Sequence, residues 1–314
     1  MGVNTQSERC HNNTVGYLKT TAVSVYNGLL TEKHYKTSAF CLRSVLNILN
    51  RLNYTLKKVR KCLPLKRIAQ TDAIFENIAY HRSAKTSGIL RISVDVKDKV
   101  RIGELSRKGY HRHLEPVKAL DKDQCWNETL VPLGILNLNT NKATIVVGNS
   151  NETADFIVDG LALWFEAHKS EIVGKYHTLE IYSDNGPQVE SSRTQFINRI
   201  MEFVCITGIK VHLLYYPPYH SKYNPIERVW SAVEQYWSGT ILSTVKYAIN
   251  TIKNVKWKGV RTTVIENFKT YAKGIKLTPK QMSERQAFLI RKVGLEPWDV
   301  LIEPSVEMGG LFIT

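Results

Sequence analysis

The sequence has few of the features that mark secreted or membrane proteins. Its five cysteines are scattered, and no two of them have CxxC spacing. An odd, unpatterned set of this kind argues against a disulfide framework and against a zinc site. No apolar run approaches the ~20 residues that a membrane helix needs, and the polar N-terminus lacks the apolar segment of a secretory signal. We therefore expect a cytoplasmic protein with no membrane partner.

Acidic residues are scarce relative to basic ones. The 314 residues include 43 Lys and Arg against 28 Asp and Glu, which gives a net charge of +15. A soluble protein this basic usually binds a polyanion. Because 10% of the residues are aromatic and no amphipathic anchor stands out, nucleic acid is favoured over a membrane surface. The alternative is a well-solvated basic surface with no partner.

Residues 1–82 have a helical pattern. Apolar residues recur at three- and four-residue spacing between 38 and 51, which predicts a helix there. A basic run follows and comprises Lys57, Lys58, Arg60 and Lys61. Small helices with a basic exit predict a helix-turn-helix-like region that binds the DNA backbone. An ordinary amphipathic hairpin with a solvated face is the alternative.

The periodicity changes to that of a strand after a polar linker at 81–88. Two strands and a hairpin at 134–147 come first, and three helices alternating with two further strands follow up to residue 240. This order predicts an α/β domain over 88–240 whose sheet begins antiparallel and becomes parallel. Residues 241–314 predict a helical C-terminal extension, with helices at 245–252, 264–271 and 279–291.

Three carboxylates occupy positions from which a folded sheet could bring them together. Asp95 lies within the first strand, Asp184 at the carboxyl end of a later strand, and Glu227 near a helix start. Asn224 is expected to cap that helix, with Pro225 at its first position. Hard divalent cations prefer carboxylate oxygens. Two such ions can activate an attacking oxygen and stabilise a leaving one, so we predict a site for two Mg²⁺ or Mn²⁺ ions.

Each acid also has a purely structural explanation. An acid near a helix N-terminus suits the helix dipole, as Glu227 does, and Asp184 lies in good turn sequence, SDNG. Asp95 could be a surface strand residue. Asp98 is the alternative to Asp95 as the first acid of the site. Trp230 shares a helix face with Glu227, which indicates that this face packs on the sheet.

Five basic residues outside the N-terminal region are candidate DNA contacts: Arg107, Lys108, His220, Lys222 and Arg228. The first two lie in the sequence RKGYHRH, which predicts a mobile loop. The next two lie in the loop before the helix of Glu227, where a polar loop closing on the helix cap is the alternative. The last faces away from Glu227 and is either a backbone contact or a surface charge.

Two motifs carry a resemblance to a known family. SDNGPQ, followed by YYPPYHSKYNPIERVW, strongly resembles the DDE-type transposases of the Rhodopirellula type, which are related to mariner-like enzymes. The upstream SVDVKDKVRIGELSRKG resembles that family's first-aspartate strand. The resemblance implies an RNase H-like fold, a Mg²⁺ or Mn²⁺ requirement, and DNA strand cleavage and transfer. Its catalytic and metal-binding triad falls on Asp95, Asp184 and Glu227.

The resemblance also implies partners: double-stranded DNA as element ends and target, a homodimer or larger assembly on DNA, and association with the nucleoid. Glu227 follows Asp184 by 43 residues, a longer gap than in many mariner-like relatives, and the N-terminal region is short, which predicts a truncated element. Two alternatives stay open. One is a metal-dependent nuclease of the same fold without strand transfer, and the other is a DNA-binding remnant of a transposase without catalysis.

Overall fold

The chain is described by a computed structural model over residues 21–55, 67–112, 114–122 and 124–312. It forms two compact units, Met1–Leu63 and Pro64–Thr314. No helix in these described ranges is long and apolar enough to cross a membrane.

Over its described residues, 21–55, the smaller unit contains two helices, α1 (Ala22–Thr31) and α2 (Leu42–Arg51). Phe40 packs edge-on against Tyr26 and Tyr35 in the connection between them. The second helix therefore begins later than the sequence pattern predicts, because the residues before it form a turn. The basic run of Lys57, Lys58, Arg60 and Lys61 lies outside the described residues.

The larger unit is a mixed α/β structure. Its helices are α3 (Thr71–Ser83), α4 (Ala154–Ala167), α5 (Lys169–Ile172), α6 (Thr194–Thr207), α7 (Ile226–Trp237), α8 (Val245–Asn254), α9 (Pro279–Gln286) and α10 (Val306–Gly310). Its strands are β1 (Ile89–Val96), β2 (Val100–Ile102), β3 (Glu128–Asn137), β4 (Ala143–Gly148), β5 (Thr178–Ser183), β6 (Lys210–Tyr215), β7 (Lys256–Trp257), β8 (Val260–Arg261), β9 (Thr263–Glu266), β10 (Leu289–Arg291) and β11 (Asp299–Ile302).

The sheet is organised around β1. This strand pairs antiparallel with β3 and parallel with β5, and the strand order is β10-β11-β6-β5-β1-β3-β4-β9. The pairs β3–β4 and β11–β6 are antiparallel, whereas β5–β6 and β4–β9 are parallel. The prediction of an RNase H-like mixed sheet flanked by helices is therefore confirmed.

Helices cover both faces of the sheet because the central strands are apolar on both sides. On one face α4 and α6 form a core that includes Phe156, Trp164 and Phe203. On the other face α7 and α8 pack over β3 and β4, where Trp230 and Trp237 are buried. This three-layer arrangement holds the strand ends in place.

The third helix belongs to the larger unit, although the sequence pattern assigned it to the N-terminal region 1–82. Ile74 and Ile78 of α3 are buried against Tyr182, Leu214 and Tyr216. The helix also continues into the segment predicted as a polar linker. The physical reason is that α3 covers apolar sheet surface that α7 and α8 leave open.

The C-terminal segment 241–314 is not the helical extension that we predicted. It contributes β9 to one side of the sheet and β10 and β11 to the other. Residues 264–271, predicted as a helix, form most of β9 and then a loop. Because β4 offers a free backbone edge there, the short apolar run pairs with it as a strand. The predicted helix at 279–291 ends at Gln286 and is followed by β10.

Candidate active site

The three predicted carboxylates come together at one end of the central strands. Asp95 lies near the end of β1, and Asp184 follows β5 directly. The parallel register pairs Ser93 with Tyr182, so each aspartate lies two residues beyond that pair. Glu227 lies in the first turn of α7, which packs on the same part of the sheet.

The electrostatics of these acids show that they share one site. Burial raises the pKa of Asp95 to about 8, and the charges of Asp184 and Glu227 add to the rise. Burial also raises the pKa of Asp184, against a hydrogen bond from the Gly186 backbone. The pKa of Glu227 is raised by burial and then by Asp184. Negative charge is therefore concentrated here and favours a bound cation.

Trp230 holds Asp95 in place. Its indole N–H donates to Asp95 Oδ2 at 2.8 Å, and this bond opposes the rise in the pKa of Asp95. Trp230 is 4% exposed, as expected for a helix face that packs on the sheet. Glu234, further along α7, forms an ion pair with Lys97 at 2.7 Å.

Asn224 ties the start of α7 to β1 instead of capping the helix. Its Oδ1 accepts from Ser93 Oγ at 2.5 Å, and its Nδ2 donates to the carbonyl of Val94 at 3.0 Å. Ser93 Oγ in turn accepts from the Ile226 backbone N–H at 2.9 Å. The predicted capping role thus falls to Ser93. This buried bridge fixes the helix that carries Glu227 against the strand that carries Asp95.

A fourth acid, Glu152, lies in the same place and was missed by sequence reasoning. It lines a cavity of about 130 Å³ together with Asp95, Asp184 and Gln188. Burial raises its pKa, with Asp98 and Asp184 adding to the rise. Its sequence position before a helix N-cap resembles that of any dipole-favoured acid. Only the fold distinguishes it.

The donor atoms of this site fit a hard divalent cation. Asp95, Asp184, Glu227 and Glu152 supply only carboxylate oxygens, which Mg²⁺ and Mn²⁺ prefer. The side-chain oxygen of Asn185 is also buried and has no hydrogen-bond partner among the described residues. An oxygen acceptor without a donor fits a neighbouring cation or its water shell.

A second cluster of ionisable groups lies where α3 meets β5 and β6. His81, Glu180 and His212 offer atoms within 4.8 Å of one another that could hold a metal ion. These atoms already have protein partners: His81 Nδ1 lies 3.2 Å from Glu180 Oε1, and His212 Nε2 lies 2.7 Å from Asp299 Oδ1. Arg91 Nε donates to Glu180 at 2.9 Å. The arrangement is a satisfied polar network that attaches α3 to the sheet.

The structure places His220 away from any surface that could contact DNA. This residue is 4% exposed, its Nδ1 lies 2.7 Å from the carbonyl of Pro218, and its ring packs edge-on against Phe75. The imidazole fills the space between α3 and the loop before α7, so it supports that loop. Lys222 and Arg228 are exposed, in agreement with a surface role.

The other predicted basic loop lies beside the end of α7. The Arg107 guanidinium lies 5.4 Å from the centre of the Trp237 ring and donates to the Arg101 carbonyl at 2.9 Å. Lys108 is exposed and has a positive φ of 56°. The carbonyl of Lys108 accepts from the Gly239 backbone N–H at 2.6 Å. These contacts fix the loop to the helix that carries Glu227.

A family model matches nearly the whole chain. The model of the Rhodopirellula transposase DDE domain matches residues 4–304. No curated protein matches the chain. Among solved structures, the Mos1 transposase paired-end complex with left transposon end is 11% identical, with a TM-score of 0.44 over 76% of this chain and 71% of that chain. The Mos1 mariner paired end complex with Mn is 10% identical, with the same TM-score and coverage.

Proposed function

We propose that this chain, which belongs to the Rhodopirellula family of DDE transposases, cuts and joins DNA with two divalent metal ions held by Asp95, Asp184 and Glu227. The family assignment confirms the resemblance that the sequence motifs carry, and with it the general function of a DNA transposase. The two-ion site and the roles of the individual residues are proposals that go beyond this family assignment.

One observation carries the proposal: Asp95, Asp184 and Glu227 lie so close together that burial, and after it the charge of the neighbouring acids, raises the pKa of Asp95 and of Glu227. Burying like charges together is costly unless something of opposite charge offsets it. Two bound Mg²⁺ or Mn²⁺ ions would supply that charge, a water made acidic enough to attack, and stabilisation of the leaving oxygen.

The protein's own side chains orient the carboxylates and bind the DNA. The Trp230 indole sets the direction of the Asp95 carboxylate, and the Asn224 bridge sets the position of the helix that carries Glu227. The burial of Asp95 and Asp184 limits competing water. The half-buried Arg107 and the exposed Lys108, Lys222 and Arg228 would bind backbone phosphates of element ends and target DNA.

We assign catalysis to the larger unit and DNA-end binding to the N-terminal helices with their basic run at 57–61. Joining two ends requires two active sites, so we expect a homodimer or larger assembly on double-stranded DNA. Such an enzyme would act at the nucleoid.

The test is nicking of labelled plasmid DNA with Mg²⁺ or Mn²⁺ by wild type and by Asp184→Asn. We expect metal-dependent nicking that falls to background in the variant. A matched control is Glu171→Gln, which removes an exposed carboxylate paired with Lys142 and should leave nicking unchanged. DNA binding without cleavage, equal in wild type and Asp184→Asn, would refute catalysis and favour the DNA-binding remnant.

Adding a DNA end with a free 3′-OH and a target duplex separates the transposase from the nuclease. A transposase joins the end to the target, and the joined product is longer than either substrate. Cleavage without any joined product, under conditions where wild type nicks efficiently, would support a nuclease of the same fold.

A further inference from the structure

A second cavity adjoins the carboxylate site. It has a volume of about 350 Å³ and shares Glu152 and Gln188 with the smaller cavity of Asp95 and Asp184. Its walls come from the β1–β2 turn, the β4–α4 turn, the segment before α6 and the loop after β9. Three of these segments bring a basic side chain to it: Lys99, Arg193 and Lys273.

Arg193 has no counterion in the part of the chain that the structure describes, although it is partly buried. Arg199, six residues further along, is by contrast surrounded by carboxylates. It pairs with Asp155 at 2.9 Å, Asp159 at 2.6 Å and Glu202 at 2.8 Å. Within the described ranges, Lys273 also lacks an ion pair, whereas Lys99 lies near enough to Glu152 to lower the pKa of that acid. A partly buried guanidinium with no carboxylate beside it is suited to an external anion.

The acids that line this cavity do not cancel its positive charge. Asp155 is 9% exposed and accepts hydrogen bonds from Gln195 Nε2 at 2.8 Å and Arg199 at 2.9 Å. Its charge is therefore compensated within the fold, and it does not face solvent as its helix position suggests. Glu152 stands on the wall shared with Asp184, and its charge and that of Lys99 offset each other, so Arg193 and Lys273 are the uncompensated cations. The remaining surface is open, basic and continuous with the carboxylates.

We propose that this cavity is a phosphate-binding subsite for the DNA strand that passes through the active site. Arg193 binds one backbone phosphate beside the scissile phosphodiester, and Lys273 adds charge. The Gln188 amide, on the shared wall, stands between the two phosphates. The inference rests on the proposed function, because only a strand held at the carboxylates extends into the adjoining cavity.

Inorganic phosphate or sulfate shares the chemistry of a backbone phosphate, so the test must separate a strand from a free anion. The substrate is an oligonucleotide duplex whose cleavage position has been mapped with the wild type. Single phosphates around that position are replaced, one at a time, by neutral methylphosphonates. Binding is measured in Ca²⁺ with wild type and Arg193→Gln, and cleavage is measured separately in Mn²⁺.

In wild type, we expect one position next to the cleavage point to weaken binding about tenfold when neutralised. Arg193→Gln should weaken binding of unmodified DNA by about the same factor, and neutralising that same phosphate should then have no further effect. Such non-additivity identifies direct contact between the residue and the phosphate. Arg193→Lys should recover part of the loss. Inorganic phosphate at millimolar concentration should compete weakly with DNA and only in wild type.

Three controls separate a local contact from a general loss of positive charge and from misfolding. Arg261→Gln deletes an exposed arginine from the β7–β8 hairpin and should leave the interference pattern unchanged. Lys273→Gln, in a different segment of the same cavity, should weaken the effect of the same phosphate. Thermal unfolding of each variant shows whether it folds as wild type does.

Two outcomes overturn the subsite. If wild type cleaves DNA but Arg193→Gln gives the same affinity and the same interference pattern, the subsite is wrong and the proposed function stands. If wild type shows no metal-dependent cleavage under any condition, the proposed function falls, and the subsite falls with it.

Discussion

The indole N–H of Trp230 donates to Oδ2 of Asp95 across a sequence separation of 135 residues, at 2.8 Å. The bond joins the helix of one proposed metal ligand to the strand of another. A hydrogen bond to the ionised form favours ionisation. Trp230 thus acts against the burial and the neighbouring charges that raise the pKa of Asp95.

Replacing Trp230 with phenylalanine should make Asp95 harder to ionise. A hydrogen bond to a charged group contributes about 1.5–3 kcal/mol, and one pKa unit corresponds to about 1.4 kcal/mol. We expect the pH profile of Mn²⁺-dependent cleavage to move toward alkaline pH by about one unit. The matched control is Trp237→Phe, which loses an indole bond to Thr251 Oγ1 at 2.8 Å. An unshifted profile in Trp230→Phe would contradict the role of the bond.

The metal-free protein should lose stability as pH rises. The pKa of Asp95 in the fold is about 8, above its ordinary value of 3.8, so its contribution is fully present below about pH 4 and is lost as pH rises through 8. Asp95→Asn should melt at a higher temperature than wild type at pH 8 without metal, and at a similar temperature at pH 4. Mn²⁺ should stabilise wild type at pH 8 but not the variant. Equal melting curves at both pH values would refute this.

The bridge between β1 and α7 should matter more for catalysis than for folding. Asn224→Asp keeps an acceptor for Ser93 Oγ but loses the donor to the Val94 carbonyl. We expect a stability loss of about 1–3 kcal/mol by urea unfolding. We also expect a fall in single-turnover cleavage rate, because the helix of Glu227 shifts. Thr251→Ala, which removes a different buried hydroxyl, is the comparison. A destabilised Asn224 variant with an unchanged cleavage rate would show that the bridge is only structural.

The His81 network should weaken in alkaline solution. Burial lowers the pKa of His81, but hydrogen bonds with Asp299 and Glu180 outweigh it and raise that pKa to about 9. The stabilisation is therefore present below about pH 6.5 and is lost as pH rises through 9. Stability of His81→Gln should vary less with pH over this window than that of wild type. Chemical unfolding at several pH values measures the stability of both proteins. Identical pH dependence in wild type and His81→Gln would show that His81 does not stabilise the network.

The same network should not be the main site for catalytic metal. His212→Gln removes one of the three groups that could hold an ion there. We expect its Mn²⁺-induced thermal shift and its cleavage to match those of wild type, since neither Asp184 nor Asp95 belongs to the network. Loss of the Mn²⁺ shift in His212→Gln, with the shift retained in Asp184→Asn, would relocate the metal site.

Glu152→Gln should weaken metal binding. The carboxylate shares a cavity with Asp95 and Asp184, so its removal takes negative charge from the site. A higher Mn²⁺ concentration should be needed for half-maximal cleavage and for half of the thermal shift. Glu166→Gln, in an exposed pair with Lys169, serves as the matched control. An unchanged Mn²⁺ requirement in Glu152→Gln would leave the acid without a role in metal binding.

The sequence allowed the central sheet to be predicted because its signals are local, whereas the three acids were assigned through the resemblance of the motifs that contain them. The alternation of polar and apolar residues in the strands and the turn of the hairpin at 134–147 both depend on residues a few positions apart. Asn224 was misassigned because its real partners, Ser93 and Val94, lie some 130 residues away. A local pattern before Pro225 predicts a cap and cannot report a distant strand.

The roles of Glu152 and His81 were not predicted from the sequence for a related reason. Each sits in ordinary polar sequence at a helix end, and its meaning comes from groups on other elements. The C-terminal strands show the same limit. A four-residue run such as Thr263–Glu266 is compatible with a helix or a strand, and the choice is made by the backbone edge that β4 presents.

The C-terminal segment 241–314 also protects the sheet from other chains. Because β9 pairs with β4 and β11 pairs with β6, neither β4 nor β6 exposes a free backbone edge to solvent. Unpaired edges of this kind template intermolecular strand addition and aggregation. A fragment trimmed to residues 88–240 would keep all three acids and yet expose both edges. The catalytic core is therefore expected to remain soluble only together with the segment that follows it.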